Sequence, residues 1–126
     1  MKLFCAVLGT AIIWSTANAQ ETEGPRLFAA HCATCHGSEG EGGGPVASVM
    51  SVSVPNLRSL ALRNGGKFPA DEVAAYIDGR TQRAAHGSRT MPIWGDFLHA
   101  DGANEEESVR TRIAALVAFI ERLQYR

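Results

Sequence analysis

Hydrophobic positions along the chain form one apolar block, a few helical stripes, and long stretches with no period. Leu3 to Trp14 is a run of mostly apolar residues behind Lys2. Further on, Leu27, Phe28 and His31 or Cys32 recur at three-to-four spacing after Pro25, which suits a first helical position. They predict a helix over about 25–35, after a polar lead-in from Gln20 to Gly24. Asn56 to Arg63 carries leucines at 57, 60 and 62 behind a capping Asn, and Asn64-Gly65-Gly66 stops it. Pro69 to Ile77 is acidic in its first turn, places Val73, Tyr76 and Ile77 on one face, and ends at Gly79. The strongest stripe is the last. From about 104 to 124, Val109, Ile113, Leu116, Val117, Ile120 and Leu123 share one side of a helix that opens with three glutamates at its positive end.

Between these stripes, 37–55 and 80–103 show no sustained period, and no segment alternates at period two. The fold class is therefore mainly α with long loops. Loops of that length in a small domain usually serve a function, and wrapping a cofactor is one.

The apolar block at the start reads as a leader. Lys2 supplies a short positive region, and Ala17-Asn18-Ala19 matches a small-residue cleavage site, so residues 1–19 are expected to be a cleaved signal peptide and 20–126 the folded domain. The rival is an uncleaved anchor, but the block falls short of the roughly 20 residues that span a bilayer. Cys5 leaves with the leader. Of three cysteines only Cys32 and Cys35 then remain, so an exported chain has no disulfide framework to build.

Those two cysteines stand in Cys32-Ala33-Thr34-Cys35-His36. A C-x-x-C-H run is the attachment pattern of a c-type haem: each thiol adds across a vinyl group and the histidine ligates iron. Export and attachment support each other. A thioredoxin-like thiol protein would require a βαβ pattern that this chain lacks. Gly40 to Pro45 (Gly-Glu-Gly-Gly-Gly-Pro) lacks the Gly-Lys-Ser/Thr of a phosphate cradle and follows no strand. It reads as a loop passing close to a flat ligand, where glycine has no side chain to intrude.

Composition narrows the partners. The chain has 126 residues, enough for one domain, with 45% apolar content and a formal net charge of −1. Loss of Lys2 makes the mature chain slightly more acidic and leaves Lys67 as its one lysine, so neither nucleic-acid binding nor a lysine ring for an acidic partner is indicated.

Together these residues resemble class I cytochromes c over essentially the whole mature chain. The likeness is carried by Gly24 and Phe28, by the attachment motif with Gly37, by Gly44-Pro45, by Met91-Pro92-x-Trp94-Gly95, and by Leu116 to Ile120. It implies the class I fold, with N- and C-terminal helices packed together around one covalently bound haem c. It also implies Cys32 and Cys35 as thioether positions, His36 as proximal ligand, the Pro45 carbonyl as acceptor from His36 Nδ1, and Met91 as distal ligand. Gly24 and Phe28 are expected to pack against Leu116 and Phe119.

The function so implied is one-electron shuttling in the periplasm, not enzymatic catalysis, by a monomer with no membrane attachment after cleavage. Its partners are a dehydrogenase or quinol-oxidising donor and an oxidase or peroxidase acceptor. The alternative is a haem enzyme or gas- or peroxide-binding subunit with a labile distal methionine. His86, five residues before Met91, competes with it as distal donor. His31 and His99 read as non-ligands, Met50 as core, and Arg58, Arg63 and Arg80 as surface residues near enough to meet a haem propionate.

Overall fold

The strongest stripe folds as its pattern predicts. In the computed structural model, which describes residues 15–82, 89–99 and 104–126, the last helix, α5, spans Glu105–Arg122. Asn104 caps it by accepting from the Glu107 N–H at 3.3 Å, and the three glutamates sit in its first turn, where the helix dipole favours negative charge. Val109, Ile113, Leu116, Val117 and Ile120 are buried along one side. The remaining helices are α1 (Ser15–His31), α2 (Ala33–His36), α3 (Leu60–Arg63) and α4 (Ala70–Asp78). Short 3₁₀ turns lie at Ala47–Val49, Leu57–Ser59, Arg80–Gln82 and Trp94–Asp96. Among the described residues there is no strand, and no helix is long and apolar enough to cross a membrane.

The first helix departs from expectation at both ends. Pro25 does not start it: α1 begins by Ser15 and carries Pro25 inside. The upstream residues include Ala17, Ala19, Gln20, Glu21 and Glu23, good helix formers, and the bond that proline cannot donate is made up from outside. The carbonyl of Glu21, which Pro25 would have served, accepts Arg122 Nη2 at 3.5 Å. At the other end α1 stops at His31 and resumes as α2 after Cys32, whose φ of −113° breaks the run expected through residue 35. The apolar block from Leu3 to Trp14, expected to be a leader, lies outside the described residues.

Helices α1 and α5 cross in close contact, as the resemblance implied. A Cβ on Gly24 would collide with the Ala115 carbonyl oxygen and lie 2.9 Å from Phe119 Cβ, so glycine sets the crossing distance. Phe28 and Phe119 interlock one turn on, with ring centroids 5.2 Å apart at 59°. Gly24 thus faces Ala115 and Phe119, while Leu116 fills the core beside Phe28.

Helix α4 closes the core from the other side through Ile77, and the Leu57–Arg63 segment docks on the chain's end. Gln124 Nε2 donates to Leu57 O at 2.8 Å, and its Oε1 accepts from Ala61 N at 2.9 Å. The Asn56 side chain accepts from Arg58 N at 2.8 Å, giving this segment its predicted cap. Gly79, at φ 69°, ends α4 as predicted. Tyr76 is the exception on that helix. Expected on one face with Val73 and Ile77, it is 52% exposed, whereas Ile77 is buried.

Candidate functional site

Helix α1 delivers Cys32, and the short helix α2 presents Cys35 and His36. Only 8% of His36 is exposed, and its Nδ1 lies 3.2 Å from the carbonyl oxygen of Pro55. A carbonyl can only accept, so this contact fixes the proton on Nδ1 and leaves a lone pair on Nε2. The expected partner was Pro45, and that expectation is corrected. The glycine half of the loop is bound to the back of the motif: Gly42 N donates to His36 O at 2.7 Å, Gly44 N to Cys35 O at 3.0 Å, and Val46 N to Thr34 O at 3.1 Å. At Gly44 a Cβ would sit 2.5 Å from Thr34 O, so the close approach glycine permits is to the motif's own backbone. The chain must pass this layer before it can reach the imidazole, and Pro55, nineteen residues beyond His36, is where it does so.

Burial lowers the His36 pKa, against the opposing pull of the Pro55 bond, so the ring is neutral. Burial first, then the neighbouring Cys35, pushes the Cys32 thiol up to about 12. Both thiols are free. A disulfide oxidoreductase needs the reverse at its attacking cysteine, a thiolate stabilised at neutral pH.

The motif opens into a cavity of about 530 Å³. Cys32, Cys35 and His36 form one part of its wall, Met50 and Val52 to Pro55 another, and Tyr76, Met91, Pro92 and Trp94 a third. Three sequence-predicted site regions thus converge from distant parts of the chain. His31 also borders the cavity, exposed, with its ring 5.3 Å from that of Trp94. Met50, expected in the core, is half-buried on the cavity wall instead. Val46 to Met50 forms a 3₁₀ turn, and the extended backbone at Met50 then carries the loop along the cavity. His99 is exposed as expected, and His86 lies outside the described residues.

None of the three arginines considered for a propionate borders the cavity. Arg80 is committed to Asp78 and Glu106, at 2.7 and 2.8 Å, and so joins α4 to α5. Arg58 donates to Leu123 O and stacks on Tyr125, while Arg63 holds Ser59 and the Asn56 carbonyl. The sequence reading missed Pro55, because a backbone acceptor carries no side-chain signature. It also missed Tyr76 on the cavity wall, and Arg89, which holds the Tyr76 and Met91 carbonyls.

A protein-family model described as Cytochrome c matches residues 21–124. The chain belongs to the cytochrome c family. No solved structure matches it. As a cytochrome c it has the family's mainly α fold, and membership implies a covalently bound haem c and a role in electron transfer. The residues present fit that group. Two thiols sit at the wall of a largely apolar cavity, a neutral imidazole has its outer nitrogen tied to a carbonyl, and a thioether lines the same space. The volume is within the usual range of cofactor sites, and the donors are of the imidazole and thioether types that hold haem iron.

Proposed function

We propose that this cytochrome c is a monohaem, class I electron carrier of the periplasm, with iron held between His36 and Met91 and haem bound through Cys32 and Cys35. The observation that carries the reading is that both cysteines, His36 and Met91 line one cavity. When bound, the haem supplies one-electron chemistry, its iron passing between ferric and ferrous states. The protein's part is to hold and shield. Pro55 orients the His36 ring and raises its donor strength, Met91 supplies a soft thioether that favours the ferrous state, and the apolar walls keep water from the metal.

With His36 and Met91 both donating to the iron, no coordination position would be left for a substrate, in keeping with a carrier and not an enzyme. Its partners are soluble or membrane-bound redox proteins, a dehydrogenase or quinol-oxidising donor and an oxidase or peroxidase acceptor. The carrier itself is a monomer. Cleavage after Ala19 removes the leader, and every contact between α1 and α5 described above lies beyond that point, so the mature domain keeps its helix pair.

The test is to export the protein in cells competent for haem attachment, then record its mass and spectrum. Expected are one covalent haem, a mature start at Gln20, and a far-red methionine-to-iron band in the ferric protein that Met91→Ala abolishes. Absence of the band in the unaltered protein, together with ready carbon monoxide binding by the ferrous form, overturns the carrier reading.

A further inference from the structure

Arg89 touches the Met91 segment and helix α4 at once. Its Nη2 donates to the Tyr76 carbonyl at 2.6 Å, its Nε to the Met91 carbonyl at 3.5 Å, and its guanidinium carbon stands 4.4 Å above the centre of the Tyr76 ring. Each contact has a cause in the fold. Tyr76 lies in the last turn of α4, where carbonyls lose their intrahelical donors. Arg80 N, which would have served Tyr76, turns to Asp78 Oδ1 instead. A cation at this end is favoured by the helix dipole. Gly79 completes the arrangement: a Cβ there would meet the Arg89 guanidinium at 3.0 Å, so the glycine that ends α4 also leaves room for the arginine.

The other end of the segment is held independently. Gly95 packs beneath the Asp78–Arg80 pair, so closely that a Cβ would collide with both side chains, and Leu98 is buried in the core. Met91 lies between these two anchors.

We infer that Arg89 is a positioning residue that ties the Met91 segment to the C-terminal end of α4 and thereby sets how readily Met91 gives up its place in the cavity to another donor. This rests on the reading of Met91 as an iron ligand. The arginine acts through the segment's backbone, and its planar fork can serve both carbonyls, which a lysine's single nitrogen cannot do in the same geometry. Because Gly95 and Leu98 hold independently, removing Arg89 loosens the segment without unfolding the domain.

The experiment titrates the ferric holoprotein with imidazole and follows the far-red band. A competitor binds only the fraction of molecules in which Met91 has left, so its apparent affinity reports that fraction directly. Losing a charged hydrogen bond is expected to raise imidazole affinity about tenfold in Arg89→Gln, with Arg89→Lys intermediate. Tyr76→Leu, which removes the ring beneath the guanidinium, shifts affinity the same way by less and serves should Arg89→Gln fold poorly. Wild-type imidazole affinity in Arg89→Gln, Arg89→Lys and Tyr76→Leu, with the band present and abolished by Met91→Ala, overturns this inference alone. A wild-type protein without the band overturns the Met91 reading, and this inference with it.

Discussion

His36 donates its Nδ1–H to the carbonyl of Pro55, not to that of the proline nearer in sequence. The acceptor is a backbone carbonyl on an exposed residue at the far end of a loop that has already bonded to the motif from behind. Its position depends on how stiffly the loop ends. Pro55→Gly frees the backbone at that point and weakens the hydrogen bond. A less basic imidazole stabilises ferric iron less, so the reduction potential is expected to rise, by roughly 20–60 mV for a twofold to tenfold change in the redox equilibrium. Voltammetry of the two holoproteins checks it, and a potential that falls or stays level counts against Pro55 as the tuning contact.

The contrast between Pro45 and Pro55 shows where sequence was legible. Helices α4 and α5 announce themselves through apolar stripes and capping residues, because side-chain period and cap chemistry are local properties. The cysteines, His36 and Met91 each sit in a short motif, and the structure brings them to one cavity wall. Contacts made by backbone atoms across long loops leave no such trace. The Pro55 carbonyl, the Glu21 carbonyl that takes Arg122, and the Tyr76 carbonyl that takes Arg89 depend on how the chain closes in space. Met50, read as core, faces the cavity instead, as Tyr76 does, because apolarity alone does not distinguish a cofactor wall from a protein core.

The α1–α5 crossing makes a stability prediction. Gly24→Ala places a methyl group against the Ala115 carbonyl, which belongs to a helix backbone and cannot swing aside. The small helix-propensity gain of alanine is outweighed by the strain of forcing the helices apart, about 1–3 kcal/mol. Chemical denaturation of the holoprotein is expected to show this loss, with the far-red band intact until unfolding, since neither Gly24 nor the Ala115 and Phe119 it meets line the cavity.

The Asp78–Arg80–Glu106 network makes a pH prediction. The Arg80 hydrogen bond holds the Asp78 carboxyl below its ordinary value of 3.8, against a smaller opposing effect of burial. A carboxyl depressed in the folded state stabilises fully above its unfolded pKa, and that contribution disappears as pH falls through the folded value. Asp78→Asn is therefore expected to cost about 1 kcal/mol near neutrality, in keeping with a partly exposed pair, and progressively less below pH 3.8. Denaturation curves at several pH values for both proteins test this. A constant difference down to the acid limit shows that the pair does not carry the effect.

Two methionines line the cavity, and their segments are held differently. Met91 belongs to a segment fixed by Arg89 on one side and by Gly95 on the other, so its backbone is held on the cavity wall before any metal bond forms. Met50 follows a single 3₁₀ turn and leads into exposed residues from Ser51 to Ser53. Holding a weak thioether donor in place costs entropy, and the segment already ordered loses least. Met50→Leu, which keeps the side chain's size and removes its sulfur, is accordingly expected to leave the far-red band and the potential nearly unchanged. Met91→Leu should abolish the band and open the site to carbon monoxide. If Met50→Leu removes the band instead, the distal donor comes from the glycine-rich loop, and the Arg89 clamp holds a wall of the cavity and not a ligand.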